Sequence, residues 1–243
     1  MPIYAELAQY EKRRQRLETK HAANWREVLQ TQRADVLAAL GLSRVTYGGT
    51  WTVPVQYRSK ITPNDYSAML RPQTKATGKR VAEAAMIAAA LLGIRAALSL
   101  SPVSSAVKRM VDALSIVRMA EQAADVLRTV ATTSIRRLNE ALYTESVFPP
   151  AQDVVDAIDK TYSEDRAKAI AVTAISAGYV AGMIALYQHD GKTQIMRWVA
   201  QEDACPVCQA LHGSRAPVNG FFPGGMIPPV HVNCRCIVTY EKN

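Results

Sequence analysis

The sequence predicts an α+β fold that is mostly α: long helices, followed by a small C-terminal antiparallel β module around a Cys/His-rich loop. Three observations carry this. Outside residues 44–78, from residue 2 to about residue 189, apolar residues recur mainly at three- and four-residue steps, the period of a helix. The pattern then turns to alternation in "TQIMRWVAQ" (193–201) and "CIVTYE" (236–241), the period of a strand. All four cysteines of the 243-residue chain cluster in the stretch that joins these two segments. With 49% apolar and 21% charged residues, the chain has the material for a core and lacks the composition of a disordered one.

Along the chain, Leu7, Tyr10, Leu17, Trp25, Val28, Leu29, Val36, Leu37 and Leu40 mark a helix over residues 2–40 that Gly41 can stop. The charges between them suggest a peripheral or partner-binding helix. From Arg44 to Lys60, β-branched and aromatic residues around Gly48 and Gly49 predict a hairpin, its second arm limited by Pro54. Residues 59–78, with Pro63 and Pro72, read as a linker or extended arm.

The alanine-rich run Val81–Leu100 is long enough to span a bilayer but contains Glu83 and Arg95, so a buried helix is expected and no stable membrane insertion. Ser101 and Pro102 then offer an N-cap and first turn for a second long helix. Its apolar stripe runs through Val107, Met110, Leu114 and Val117 to Leu142, and Phe148–Pro150 end it. A short helix holds Val154, Val155, Ile158 and Tyr162. A longer one begins at Ser163, and Ala174, Gly178 and Gly182 give it a face that another helix can approach closely. The expected organisation is an N-terminal helix and hairpin arm over 1–60, linker and long helices over 61–150, and a C-terminal module over 151–243.

The first 20 residues are charged where a secretory signal needs an apolar stretch, so an intracellular, reducing origin is expected. In that setting clustered cysteines serve metals or catalysis more often than disulfides. Cys205 and Cys208 form a CxxC pair, and "HVNCRC" adds His231, Cys234 and Cys236. Tetrahedral zinc takes four donors and five are present, so the expected cofactor is a structural zinc held by Cys205, Cys208 and two or three of the later residues; reduced thiols and a disulfide remain as alternatives. No thioredoxin-like βαβ context surrounds the CxxC, and no positioned acid/base pair accompanies it; His212 and Asp203 are hydrolase candidates by proximity alone.

The formal net charge is +8, with basic clusters at Lys12–Arg16 and Thr74–Arg80. Lys12, Arg13, Arg14, Arg16, Lys79 and Arg80 are therefore candidate contacts to nucleic acid, since phosphate binding depends on cation count.

The C-terminal third, over roughly 164–241, resembles the phage Mu protein F-like head morphogenesis family, the minor head proteins of tailed bacteriophages. The resemblance rests on Arg166, Ala167, Ile170, Ala171 and Thr173, then Trp198 and Asp203. It continues through the Cys205-Pro206-x-Cys208 pair, Leu211, Gly213, Pro229, His231, Asn233, Cys234, Arg235 and Cys236. Val172 and Ala174 depart from the family's usual Arg and Glu, and Val232 from its Pro. The resemblance implies a non-enzymatic minor capsid protein inside the virion. It would be associated with the portal or the major capsid protein, near packaged double-stranded DNA, and would assist head morphogenesis or genome delivery. It also implies that Trp198 and Leu211 are core and that Asp203 caps or orients the CxxC turn. Rival readings are a DNA-binding packaging or ejection protein and a metal-dependent hydrolase or toxin.

Overall fold

In the computed structural model the described residues are 2–43, 51–100, 104–143, 149–190 and 194–241, the side chains of 2–6 and 106 excepted. They form α1 (Pro2–Ala39), α2 (Pro63–Met69), α3 (Pro72–Leu100), α4 (Ser105–Leu142), α5 (Ala151–Thr161), α6 (Glu164–His189), β1 (Ile195–Val199), α7 (Pro206–Ala210), β2 (Arg215–Pro217) and β3 (Ile237–Tyr240). The mostly helical α+β class with a small C-terminal sheet is as the sequence predicts.

α3 and α6 are the central pair, and glycine sets their approach. A Cβ at Gly178 would lie 2.7 Å from the Met86 carbonyl oxygen; one at Gly182 would lie 2.8 Å from the Ala90 carbonyl carbon and closer still to its oxygen. Gly93 answers from α3, where a Cβ would run into the Tyr179 backbone. The two backbones therefore touch with no side chain between them. Ala82, Ala85, Ala89, Ala96 and Ala97 of α3 are fully enclosed by this packing. By length and composition α3 could cross a membrane, but 56% of its most apolar window is buried in the protein, as in a core helix.

Several local expectations are corrected. α1 is one unbroken helix and not peripheral: Trp25, Val28, Leu29 and Val36 are enclosed where it packs on α3 and α6. Gly41 ends it in the left-handed conformation, with the Leu42 amide donating to the Leu37 carbonyl. The first arm of the expected hairpin, residues 44–50, lies outside the described residues; 51–60 contain only a 3-10 turn at Val55–Tyr57. Its aromatic and β-branched residues serve packing instead, with Val53 and Tyr57 buried and Trp51 donating its indole N–H to the Leu40 carbonyl.

The linker expected over 59–78 is two helix starts. Thr62 and Asp65 form a reciprocal capping box with Pro63 in the first turn of α2, and Pro72 opens α3. Ser101 and Pro102 lie outside the described residues; Ser104 is the N-cap of α4, its hydroxyl accepting from the Val107 amide. The buried stripe of α4 coincides with the expected one toward Leu142 but departs from it at the N-terminal end. Val111, Met119, Ala123, Val130, Leu138 and Leu142 face inward, whereas Met110, Leu114 and Val117 are 44%, 46% and 61% exposed. α6 starts as expected, with the Ser163 hydroxyl accepting from the Arg166 amide.

β1 pairs antiparallel with β3, Val199 opposite Ile237, and on its other edge with β2, Met196 opposite Ala216. β2 is three residues long and ends in proline, too short for alternation to mark it. The sheet shares its core with the C-terminal halves of α3 and α6 and with Leu7 of α1. A second cluster joins the rest of α1 to α2, α4 and α5.

Candidate metal centre

The register of the sheet brings the cysteines together. β1 ends at Val199 and β3 begins opposite it at Ile237, so the segment leaving one strand and the segment entering the other start side by side. On the outgoing side Cys205 is the N-cap of α7, and Pro206 fixes its first turn, which carries Cys208 inward. On the returning side Asn233 adopts φ of 62°, a left-handed value asparagine tolerates, and its amide donates to the Thr173 hydroxyl of α6. That turn points Cys234 and Cys236 back toward Cys208.

All five expected donors meet there. Nε2 of His231 lies 3.2 Å from the sulfurs of both Cys205 and Cys208, and the Cys208 and Cys234 sulfurs are 3.8 Å apart. The donors fall into two overlapping groups, Cys205–Cys208–His231 and Cys208–Cys234–Cys236, each with its ligand atoms within 4.8 Å of one another. Cys208 belongs to both. Tetrahedral zinc, with Zn–S near 2.3 Å and Zn–N near 2.0 Å, sets S···S and S···N edges of about 3.8 Å and 3.5 Å. The observed spacings match the first and come within a few tenths of an ångström of the second.

The imidazole is also oriented as a ligand. Nδ1 of His231 lies 2.8 Å from the Val232 carbonyl, so an N–H there donates to it and leaves the Nε2 lone pair facing the thiols. That bond raises the His231 pKa, against the effect of partial burial. Burial pushes the Cys208 thiol up to about 12, and hydrogen bonding from the Cys236 side chain brings Cys234 down to about 5. Cys236, sharing that bond as donor and buried, is pushed up; Cys205 is lowered, chiefly by the Cys208 amide. Cys205 and Cys234 are thus the thiols shifted toward ionisation, and a divalent cation is the species that would let the others join. All four cysteines are free of disulfides.

Around the cluster runs a network that sequence reading missed. Arg14 of α1, expected as a nucleic-acid contact, is fully buried. Its guanidinium donates to the Arg235 carbonyl at 2.9 Å and to Glu11 at 2.8 Å, and it stacks over the Tyr179 ring. Glu18 joins it, 3.0 Å from the Arg235 guanidinium. α1 is thereby fastened to the turn between Cys234 and Cys236. Removing one member of such a buried ionic network leaves its partner uncompensated, at a cost of about 3–5 kcal/mol. Lys12, Arg13, Arg16, Lys79 and Arg80 are exposed as expected.

The other motif residues have physical roles too. Arg166 is buried, its guanidinium donating to the carbonyls of Thr161 and Val130 and to the Ser134 hydroxyl. Trp198 is enclosed, edge-on to Phe222 with ring centroids 5.2 Å apart, and Leu211 is buried beside it. Gly213 has φ of 78°, which lets its amide return to the Trp198 carbonyl. Asp203 does not cap the CxxC turn: among the described residues no side-chain cap hydrogen bond is made to the first turn of α7. His212 accepts from the Ala200 amide at Nδ1 and borders, with Asp203 and Glu11, an open cleft of about 910 Å³.

Compared with known proteins, residues 107–239 match the family model described as phage Mu protein F like protein, more than half of the chain. The match begins in α4, well upstream of the motif residues. No curated protein and no solved structure matches the chain.

Proposed function

The chain belongs to the phage Mu protein F-like family of phage head-related structural proteins, and from that premise we propose that it is a minor head protein carried inside the virion. In this reading it sits against the portal or the major capsid protein and assists head assembly or genome delivery, having been made in the host cytoplasm. The single observation that carries the proposal is the family match over residues 107–239.

The Cys/His cluster serves this role as a clamp. Cys205, Cys208 and His231, with Cys234 and Cys236 completing or replacing members of the set, would hold a structural zinc ion. The ion's chemistry there is to stabilise thiolates and close a long loop. The chain's own residues do the rest: the Val232 carbonyl orients His231, Thr173 fixes the Asn233 turn, and Arg14 with Glu18 anchors Arg235. Quantitative mass spectrometry of purified, nuclease-treated particles tests the assignment. A fixed small copy number per particle, protected from added protease until the heads are opened, is the expected result; recovery only from the particle-free lysate would overturn it.

A second reading, contact with packaged double-stranded DNA, is favoured by the exposed cations Lys12, Arg13, Arg16, Lys79 and Arg80. Retention on DNA should then fall steeply as salt rises, and weaken further when Lys12, Arg13 and Arg16 are changed to Gln. Absent or salt-independent retention would remove this reading.

A further inference from the structure

α6 is apolar on nearly every face, and a helix of that kind is expected to be covered all round. One stripe of it is not. Ile170, Ala177, Ala181 and Ile184 are only half-buried and form one wall of a groove of about 930 Å³, with α4 as the other wall and Met86 of α3 lining it too. The two walls are tied together where Arg166 bonds Val130 and Ser134; from there the groove continues to Met119 and Ser115 of α4. The loop at Ile227–Pro229 and the 65% exposed Val232 also border it.

We propose that this groove receives an amphipathic helix of a partner protein, with its apolar stripe on the groove floor and acidic residues along its flanks. Size supports a helix. The open stripe from Ile170 to Ile184 is about 21 Å long at ~1.5 Å per residue, or about four turns. A volume of about 930 Å³ holds roughly four turns of a ~10 Å wide helix sunk to half its depth.

Charge selects the acidic flanks. Of the two acids on the rim, Asp125 pairs with Arg128 at 2.7 Å, and Asp165 stands in solvent 3.9 Å from Lys168. Arg118, Arg137 and Lys160 also border the groove and have no ion-pair partner among the described residues. A ligand without charge would leave all three cations unanswered, and a flat bilayer cannot reach a concave floor. An acidic helix answers both features.

The test uses the full-length protein and two fluorescent helical peptides of about 18 residues. Both carry the same leucine stripe, one with glutamate flanks and the other with lysine flanks. The glutamate peptide is expected to bind saturably and the lysine peptide no better than a scrambled sequence. Ala177→Trp, which fills the half-exposed wall, should abolish binding, and Arg118→Glu with Arg137→Glu should weaken it about tenfold. Thr129→Arg blocks the groove from the exposed side of α4 and serves if Ala177→Trp alters the melting curve. Equal binding of the two peptides, binding untouched by the blocking variants, or affinity for anionic vesicles without affinity for the glutamate peptide would each overturn the proposal. No particle enters the assay, so its outcome is independent of the virion assignment.

Discussion

On the proposed reading of the cluster as a zinc clamp, replacing Cys208 with alanine is expected to take metal content from about one zinc per chain to near zero, and to lower stability by about 3 kcal/mol or more. For a chain of this size that is roughly 6–12 °C in melting temperature. The expectation follows from the geometry: Cys208 is the donor common to both groups, 3.2 Å from His231 and 3.8 Å from Cys234, and is fully enclosed. Its loss breaks either possible ligand set, whereas a change at Cys205, on the outer side, disturbs one. Chelation of the wild-type protein should act in the same direction. Acidification should too, because each proton added to a thiolate removes a ligand and metal affinity falls as pH falls. Metal analysis beside a thermal melt decides the matter: a wild-type protein with negligible metal and a melt indifferent to chelator would leave the cluster as reduced thiols.

The second large effect is expected at the centre of the helical body. Gly182→Leu puts a side chain where the Ala90 backbone already lies, a Cβ there falling 2.8 Å from a main-chain carbon that cannot swing away. Overpacking against side chains costs about 1–3 kcal/mol; against backbone the whole α3–α6 pair must part, so about 3 kcal/mol or more is expected. Gly41→Ala makes the comparison, since at Gly41 the φ of 71° is unfavourable for alanine but no atom stands within 4 Å of the new Cβ. Chemical denaturation should therefore separate the two, with the larger loss at Gly182. A Gly182→Leu protein that unfolds at the wild-type midpoint would mean that the two helices do not pack in this way.

Much of this architecture was legible because period and punctuation agreed. Ser163 before Glu164 and Asp165 gave the start of α6, alternation gave β1 and β3, and the Cys/His spacing gave the donors that the sheet register then assembles. Where the reading failed, one residue type served two purposes. Pro63 and Pro72 looked like linker residues because proline breaks helices, but in the first turn it starts them. Arg14 stood within a basic run and could not be told from its neighbours by charge; only the fold shows that it alone points inward, to the Arg235 carbonyl. In α4 both the true stripe and the one beside it are apolar at helical spacing, so periodicity could not choose between Val111 and Met110. Glu18 carried no sequence signal for its work beside the cysteine loop, and Thr173, a residue of the family motif, carried none for its bond to the Asn233 amide, since a tertiary partner is not encoded in local pattern.

The bond from Arg14 to Arg235 joins residues 221 positions apart, nearly the full length of the chain. α1 is made before the rest of the described fold, and the carbonyl that receives its buried guanidinium follows 221 residues later. Until then Arg14 has Glu11 and Glu18 of its own helix and, once α6 is made, the Tyr179 ring. The docking of α1 on the cysteine turn is thus a long-range contact, complete only when both ends of that 221-residue separation are present. A chain cut short before Arg235 carries an open seam along α1, so loss of the cysteine turn is felt 221 residues away.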